Sequence, residues 1–156
     1  MTDMRAGIEA LLRRYADCWT RLKPTELKGL WHPDEATPYY VAEEKPRPMW
    51  SMPELDAYWR EAESVLKRFS VRTWDLQCKP VAPDLAAMQF MMHWNGELAG
   101  IDPAPIGMDV KVFAMAQPAG DGWAFRHAYI ESPLGALPFL KAAYRAGVDA
   151  EFLRTR

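Results

Sequence analysis

The stretch Gly120-Asp121-Gly122-Trp123-Ala124-Phe125-Arg126-His127-Ala128-Tyr129-Ile130-Glu131-Ser132 decides what kind of fold this chain can adopt. In an extended strand, successive side chains point to opposite faces. Trp123, Phe125, His127, Tyr129 and Glu131 are therefore expected to share one face. Exposing that face would put two large aromatics in water and leave Ala124, Ala128 and Ile130 to the core, a loss of roughly 2–4 kcal/mol on the usual transfer scale. The odd-numbered residues are thus predicted to point inward, with Trp123 and Phe125 as a greasy floor and His127, Tyr129 and Glu131 as a polar end. A buried imidazole needs a hydrogen-bond partner. Asp109 on the neighbouring strand and Tyr15 on the first helix are the candidates.

Upstream of this stretch the same period of two recurs near 70–79, 85–96 and 108–117, each segment closed by Pro, Gly or Asp. The turns KPVAPD and QPAGDGW are short enough to make neighbouring strands antiparallel, whereas GELAGIDPAPIG is too long for a simple turn and reads as a rim or lid. Earlier in the chain the period is helical. Ile8, Leu11, Leu12, Tyr15, Trp19 and Leu22 form one stripe, ended by Pro24, and TELKGLW offers a second, short helix. HPDEATP is a loop, Tyr39, Tyr40 and Val41 suit a short strand, and EKPRP breaks it. Ser51 with Glu54 three residues later is a capping box, followed by a stripe of Leu55, Tyr58, Trp59, Ala62, Val65, Leu66 and Phe69. GALPFLKAAYRAG is expected to close the chain as a helix at about 135–147.

This order is α+β rather than βαβ. It predicts a cone: a strongly curved, mainly antiparallel sheet wrapped on N-terminal helices, with a cavity at its open end. The 156 residues, 49% of them hydrophobic, suit a single domain over 1–156. Lys and Arg number 19 against 21 Asp and Glu, so the charge balance supplies no attraction to nucleic acid or an anionic membrane, and neither partner is expected. No apolar run approaches the ~20 residues of a spanning helix, and the first residues lack an apolar leader, so a cytoplasmic protein is expected. Cys18 and Cys78 form no CxxC, and the three histidines have no ligand spacing. His32 and Asp34 in WHPDE read as loop caps, and no metal or cofactor is expected.

On LWHPDEATPYYV and GDGWAFRHAYIESPL the chain resembles the SnoaL-like branch of the nuclear transport factor 2-like superfamily. The closing strand of that branch reads Asp-Gly-x-Trp and then His-x-His-x-Ser. Trp123 and His127 keep the spacing, while Tyr129 stands at the second His and Glu131 at the Ser. The resemblance runs from residue 7 to about 134. It implies the cystatin-like roll, an aromatic-lined pocket and a homodimer formed through the sheet's outer face. It also implies wide functional spread, from ketosteroid isomerases and polyketide cyclases to scytalone dehydratases and epoxide hydrolases. The isomerase base Asp is absent, with Tyr39 and Tyr40 in its place. An epoxide hydrolase set could draw only on Asp75, Arg126 and Asp109, and alternation turns Arg126 away from His127. Tyr39, His93, Asn95, Asp109 and His127 come nearest in composition to a scytalone dehydratase pocket.

His127, Asp109 and Tyr129 are the candidate catalytic groups, since an imidazole beside a carboxylate can act as a general base and a phenol can steady an oxyanion. Tyr15, Trp19, Trp31, Tyr39, Trp59, His93, Trp123, Phe125 and Glu131 are the candidate ligand contacts. The expected function is binding of a small hydrophobic or aromatic molecule, with cofactor-free isomerase, dehydratase or cyclase chemistry. The alternative is a non-catalytic carrier or dimeric association module, in which the polar strand faces meet solvent or a second copy.

Overall fold

The computed structural model describes residues 3–102, 104–133, 145–148 and 150–154. Helix α1 (Met4–Thr20) starts at Asp3, whose carboxylate accepts the Arg5 amide, and it buries Ile8, Leu11, Leu12, Tyr15, Cys18 and Trp19 along one side. A 3-10 helix (Pro24–Leu30) follows, inserting Leu27 and Leu30. After the short strand β1 (Tyr39–Val41) comes α2 (Met52–Val65). Its cap is the one the sequence predicts: Ser51 Oγ accepts the Glu54 amide, and the Glu54 carboxylate reaches back to the Trp50 amide at 2.8 Å.

Four long strands complete the sheet: β2 (Leu66–Ala82), β3 (Leu85–Leu98), β4 (Ile106–Ala119) and β5 (Gly122–Pro133). Their order is β1-β5-β4-β3-β2, with β1 parallel to β5 and every other pair antiparallel. Register shifts in the β2–β3 and β4–β5 pairs bend the long strands, so the unclosed sheet curls around α1 and α2. This is the expected α+β cone. Leu66 and Phe69, expected on the helical stripe, belong to β2 instead: α2 runs into the strand with Leu66 already extended (ψ 128°).

Alternation sorts the faces cleanly in the middle of the sheet. Met88, Phe90 and Met92 of β3 and Val110, Val112, Ala114 and Ala116 of β4 are buried beneath the helices. Gln89, Asn95, Asp109 and Lys111 lie on the outer face. A five-residue helix, α3 (Ala150–Arg154), lies near the C-terminus, while most of the helix expected at 135–147 falls outside the described residues.

Candidate active site

The concave face of the sheet encloses a cavity of about 220 Å³. α1 supplies Tyr15 and Trp19, α2 supplies Tyr58 and Ala62, and β2 supplies Leu66, Phe69 and Val71. Met92, Trp94 and Leu98 of β3, Ile101 of the long connection and Ile106 of β4 close the other side. The connection read as a rim does contribute to the cavity wall. Against this apolar lining stand three carboxylates, Glu43 and Glu44 from the loop after β1 and Glu131 from β5.

Glu131 is 9% exposed. Its Oε2 accepts the Glu43 amide at 3.2 Å. Burial raises its pKa to about 8, with the nearby charges of Glu44 and Glu43 acting in the same direction; the Glu43 amide and the Tyr15 hydroxyl oppose the shift. Glu131 is therefore a largely protonated acid at neutral pH. Glu43 is also shifted upward by burial, although Trp94 Nε1 donates to its Oε1 at 2.7 Å. Its Oε2 is buried without a hydrogen-bond partner.

Behind Glu131 stands a column of phenols. Tyr129 stacks on Tyr40 at 5.0 Å between centroids and on Tyr15 at 5.4 Å. The hydroxyls of Tyr40 and Tyr129 are buried and unpartnered, and burial keeps all three phenols protonated far above their ordinary range. These groups stay neutral and can offer hydrogen bonds but not charge.

Of the residues singled out in the sequence, Tyr15, Trp19 and Glu131 line the cavity, and Tyr129 packs directly against Tyr15. The expected inward position of His127 is corrected. Its side chain is 53% exposed, and its backbone adopts φ 63°. Between the pairs Ala116↔Phe125 and Ala114↔Tyr129 the register slips, so the alternation that carries Phe125, Tyr129 and Glu131 inward is broken at His127. The buried Glu35 carboxylate holds this bulge: Oε2 accepts the His127 amide at 2.8 Å, Oε1 accepts the Thr37 amide at 3.1 Å, and Arg126 Nε lies 3.5 Å from Oε2. His32 Nδ1 accepts from the Asp34 amide, as the loop-cap reading requires, and meets Arg126 Nη1 at 3.3 Å.

Asp109 is likewise corrected: it sits on the outer face and meets His93 Nδ1 at 2.7 Å, with Asn95 at 3.1 Å from His93 Nε2. His93 is therefore outside the cavity too, because it alternates against the inward Met92 and Trp94. Tyr39 faces the edge and packs on Trp50. Trp31, Trp59 and Phe125 are core residues rather than cavity lining, and the Trp123 ring lies over Gly7 of α1. The sequence reading missed Glu43, Glu44, Tyr58 and Trp94 as lining and Glu35 as the bulge anchor. Tyr58 and Trp94 carried a visible signal as inward aromatics on a helical stripe and a strand, whereas AEEKPRP has the composition of a solvated loop, which the family resemblance brings only near the pocket mouth. Among the described residues no group of three or more metal-ligating side chains converges, and no helix is long and apolar enough to cross a membrane.

No protein-family model matches the chain, and no curated protein matches it in sequence. Solved structures do. A provisionally assigned scytalone dehydratase from Novosphingobium aromaticivorans superposes with a TM-score of 0.73 at 13% identity, covering 86% of this chain and 89% of that one. A nuclear transport factor 2-like superfamily protein from Salmonella enterica gives 0.71 at 11% identity, covering 86% and 93%. A domain of unknown function with a cystatin-like fold from Nostoc punctiforme gives 0.69 at 17%, covering 99% and 93%. The chain has the nuclear transport factor 2-like, or cystatin-like, fold.

Proposed function

We propose that the cavity binds a small, mainly apolar molecule and that Glu131 exchanges a proton with it, in cofactor-free chemistry of the isomerase, dehydratase or cyclase kind. The observation that carries this reading is the buried Glu131 carboxyl, shifted to about 8, at the polar end of an apolar cavity. A carboxyl tuned close to neutral pH can take a proton from carbon adjacent to a carbonyl and return it elsewhere. The Tyr15 hydroxyl beside it is placed to donate to the oxygen on which charge develops. The similarity in fold to a provisionally assigned scytalone dehydratase agrees with this reading. His127 and Asp109 have no part in it, since neither lines the cavity.

Dehydration of 4-hydroxy-4-phenylbutan-2-one, followed by the absorbance of the conjugated enone, is a direct test. As the carboxylate, Glu131 takes the proton next to the carbonyl, the C–H electron pair forms the new C=C bond and the C–O bond breaks; the departing oxygen takes that same proton back from Glu131, so water leaves and the carboxylate is regenerated. Turnover should rise with pH through about 8 as the carboxylate forms, and Glu131→Gln should lose turnover while still binding the ketone. Equal turnover by Glu131→Gln and the parent would remove the catalytic half of the proposal and leave a ligand carrier.

We also infer a homodimer formed through the outer face of the sheet. Trp74 is 36% and Phe113 41% exposed there, with Met91 and Met115 partly exposed on the same face, more apolar surface than a lone sheet leaves in water.

A further inference from the structure

We propose that the cavity selects small organic cations, amines with an apolar or aromatic body, and that the ammonium is held by Glu131 and Glu43. This rests on the binding reading above and names the class of molecule bound. Three glutamates line the cavity, and among the described residues no Lys, Arg or His does. An anionic ligand would meet like charge in a poorly solvated space, the most unfavourable combination available to it. A neutral ligand without a donor would leave Glu43 Oε2 as it now stands, buried and unpartnered. An ammonium brings up to three donors. The Glu131 carboxylate accepts the Glu43 backbone amide at 3.2 Å and both side chains line the same cavity, so an ammonium bound at its polar end lies near both carboxyl groups.

The rest of the wall suits the same ligand. Tyr15, Trp19, Tyr58, Phe69 and Trp94 present aromatic surface, with Phe69 and Trp94 stacked at 5.6 Å. Ring faces attract cations. The Tyr58 ring already does so: Lys45 Nζ stands 5.3 Å from its centroid, while that ammonium is paired with Glu61 at 3.1 Å and Lys45 does not line the cavity.

A bound cation also changes Glu131. Among the described residues the titratable groups that interact most with it are Tyr15 of α1, Tyr40 of β1, Glu43 and Glu44 of the loop, Tyr58 of α2 and Tyr129 of its own strand, none of them cationic. An ammonium at this point supplies the missing opposite charge and favours the carboxylate, so binding releases a proton near neutral pH. The ligand thereby converts Glu131 from the acid into the base.

The test compares 2-phenylethylamine, 2-phenylethanol and phenylacetate. Binding is followed by the indole N–H resonances of Trp19 and Trp94, and proton release by titration calorimetry at pH 7.5 in buffers of different ionisation enthalpy. The amine is expected to bind at least tenfold more tightly than the alcohol, with phenylacetate weakest and a proton released only with the amine. Glu131→Gln should abolish the proton release, and Glu43→Gln, at a partly exposed position whose change threatens folding less, should cut the amine's advantage over the alcohol several-fold. If the alcohol binds as tightly as the amine, this inference falls and the binding reading stands. If none of the three shifts the indole resonances, both fall.

Discussion

Replacing Glu131 by Gln should make the protein more stable at alkaline pH. The folded protein holds the Glu131 proton up to about pH 8, whereas the unfolded chain releases it near the ordinary 4.5. The folded state therefore binds more protons between those values, and its stability falls as pH rises through the window and levels off above 8. Each pKa unit corresponds to about 1.4 kcal/mol, so the full shift amounts to up to roughly 5 kcal/mol. Gln is nearly isosteric and cannot ionise. Parent and variant should be close in stability at pH 4.5, and the variant should gain progressively to a ceiling of roughly 5 kcal/mol at pH 9. Urea unfolding at pH 4.5, 7 and 9, with the m-value checked for constancy, measures the difference directly. A parent-to-variant difference that stays constant from pH 4.5 to 9 would refute the reasoning, because it would mean that Glu131 ionises alike in the folded and unfolded states.

Glu35→Ala should cost roughly 2–4 kcal/mol, since it removes the acceptor of two amides and leaves half-buried Arg126 without its carboxylate; loss of hydrogen-exchange protection at the His127 amide reports the same event locally. Gly7→Ala should cost about 1–3 kcal/mol in thermal unfolding, because a Cβ there overlaps the Trp123 ring. Sedimentation at micromolar concentration should find a dimer, and Phe113→Glu on the outer face should give a folded monomer; a parent that sediments as a monomer contradicts the pairing.

Much of the fold was readable because its signals are local. The capping box at Ser51 and Glu54, the stripe on α1 and the Pro and Gly punctuation around each strand depend on near neighbours, and each appears where the sequence places it. The site was readable only in part. Alternation carries Phe125, Tyr129 and Glu131 inward correctly, but it presumes an unbroken ladder. The bulge at His127 is anchored by Glu35 and bordered by β1 and Trp31, segments distant in sequence that pair with β5 on either side of it. No local pattern in WAFRHAYIE announces that contact. The carboxylates of Glu43 and Glu44 were hidden for a similar reason: the loop AEEKPRP has the composition of solvated chain, and only the curl of the sheet brings it over the cavity. Leu66 and Phe69 fit a helical stripe and a strand face equally well, so the end of α2 could not be placed from periodicity.

The buried acid is tested by the titration of Glu131 itself, followed by the carboxyl carbon resonance of ¹³C-labelled glutamate and assigned by its loss in Glu131→Gln. Glu131 is expected to titrate near pH 8 in the unliganded protein. A Glu131 resonance that titrates near 4.5 would mean that the cavity holds no buried acid poised to exchange a proton.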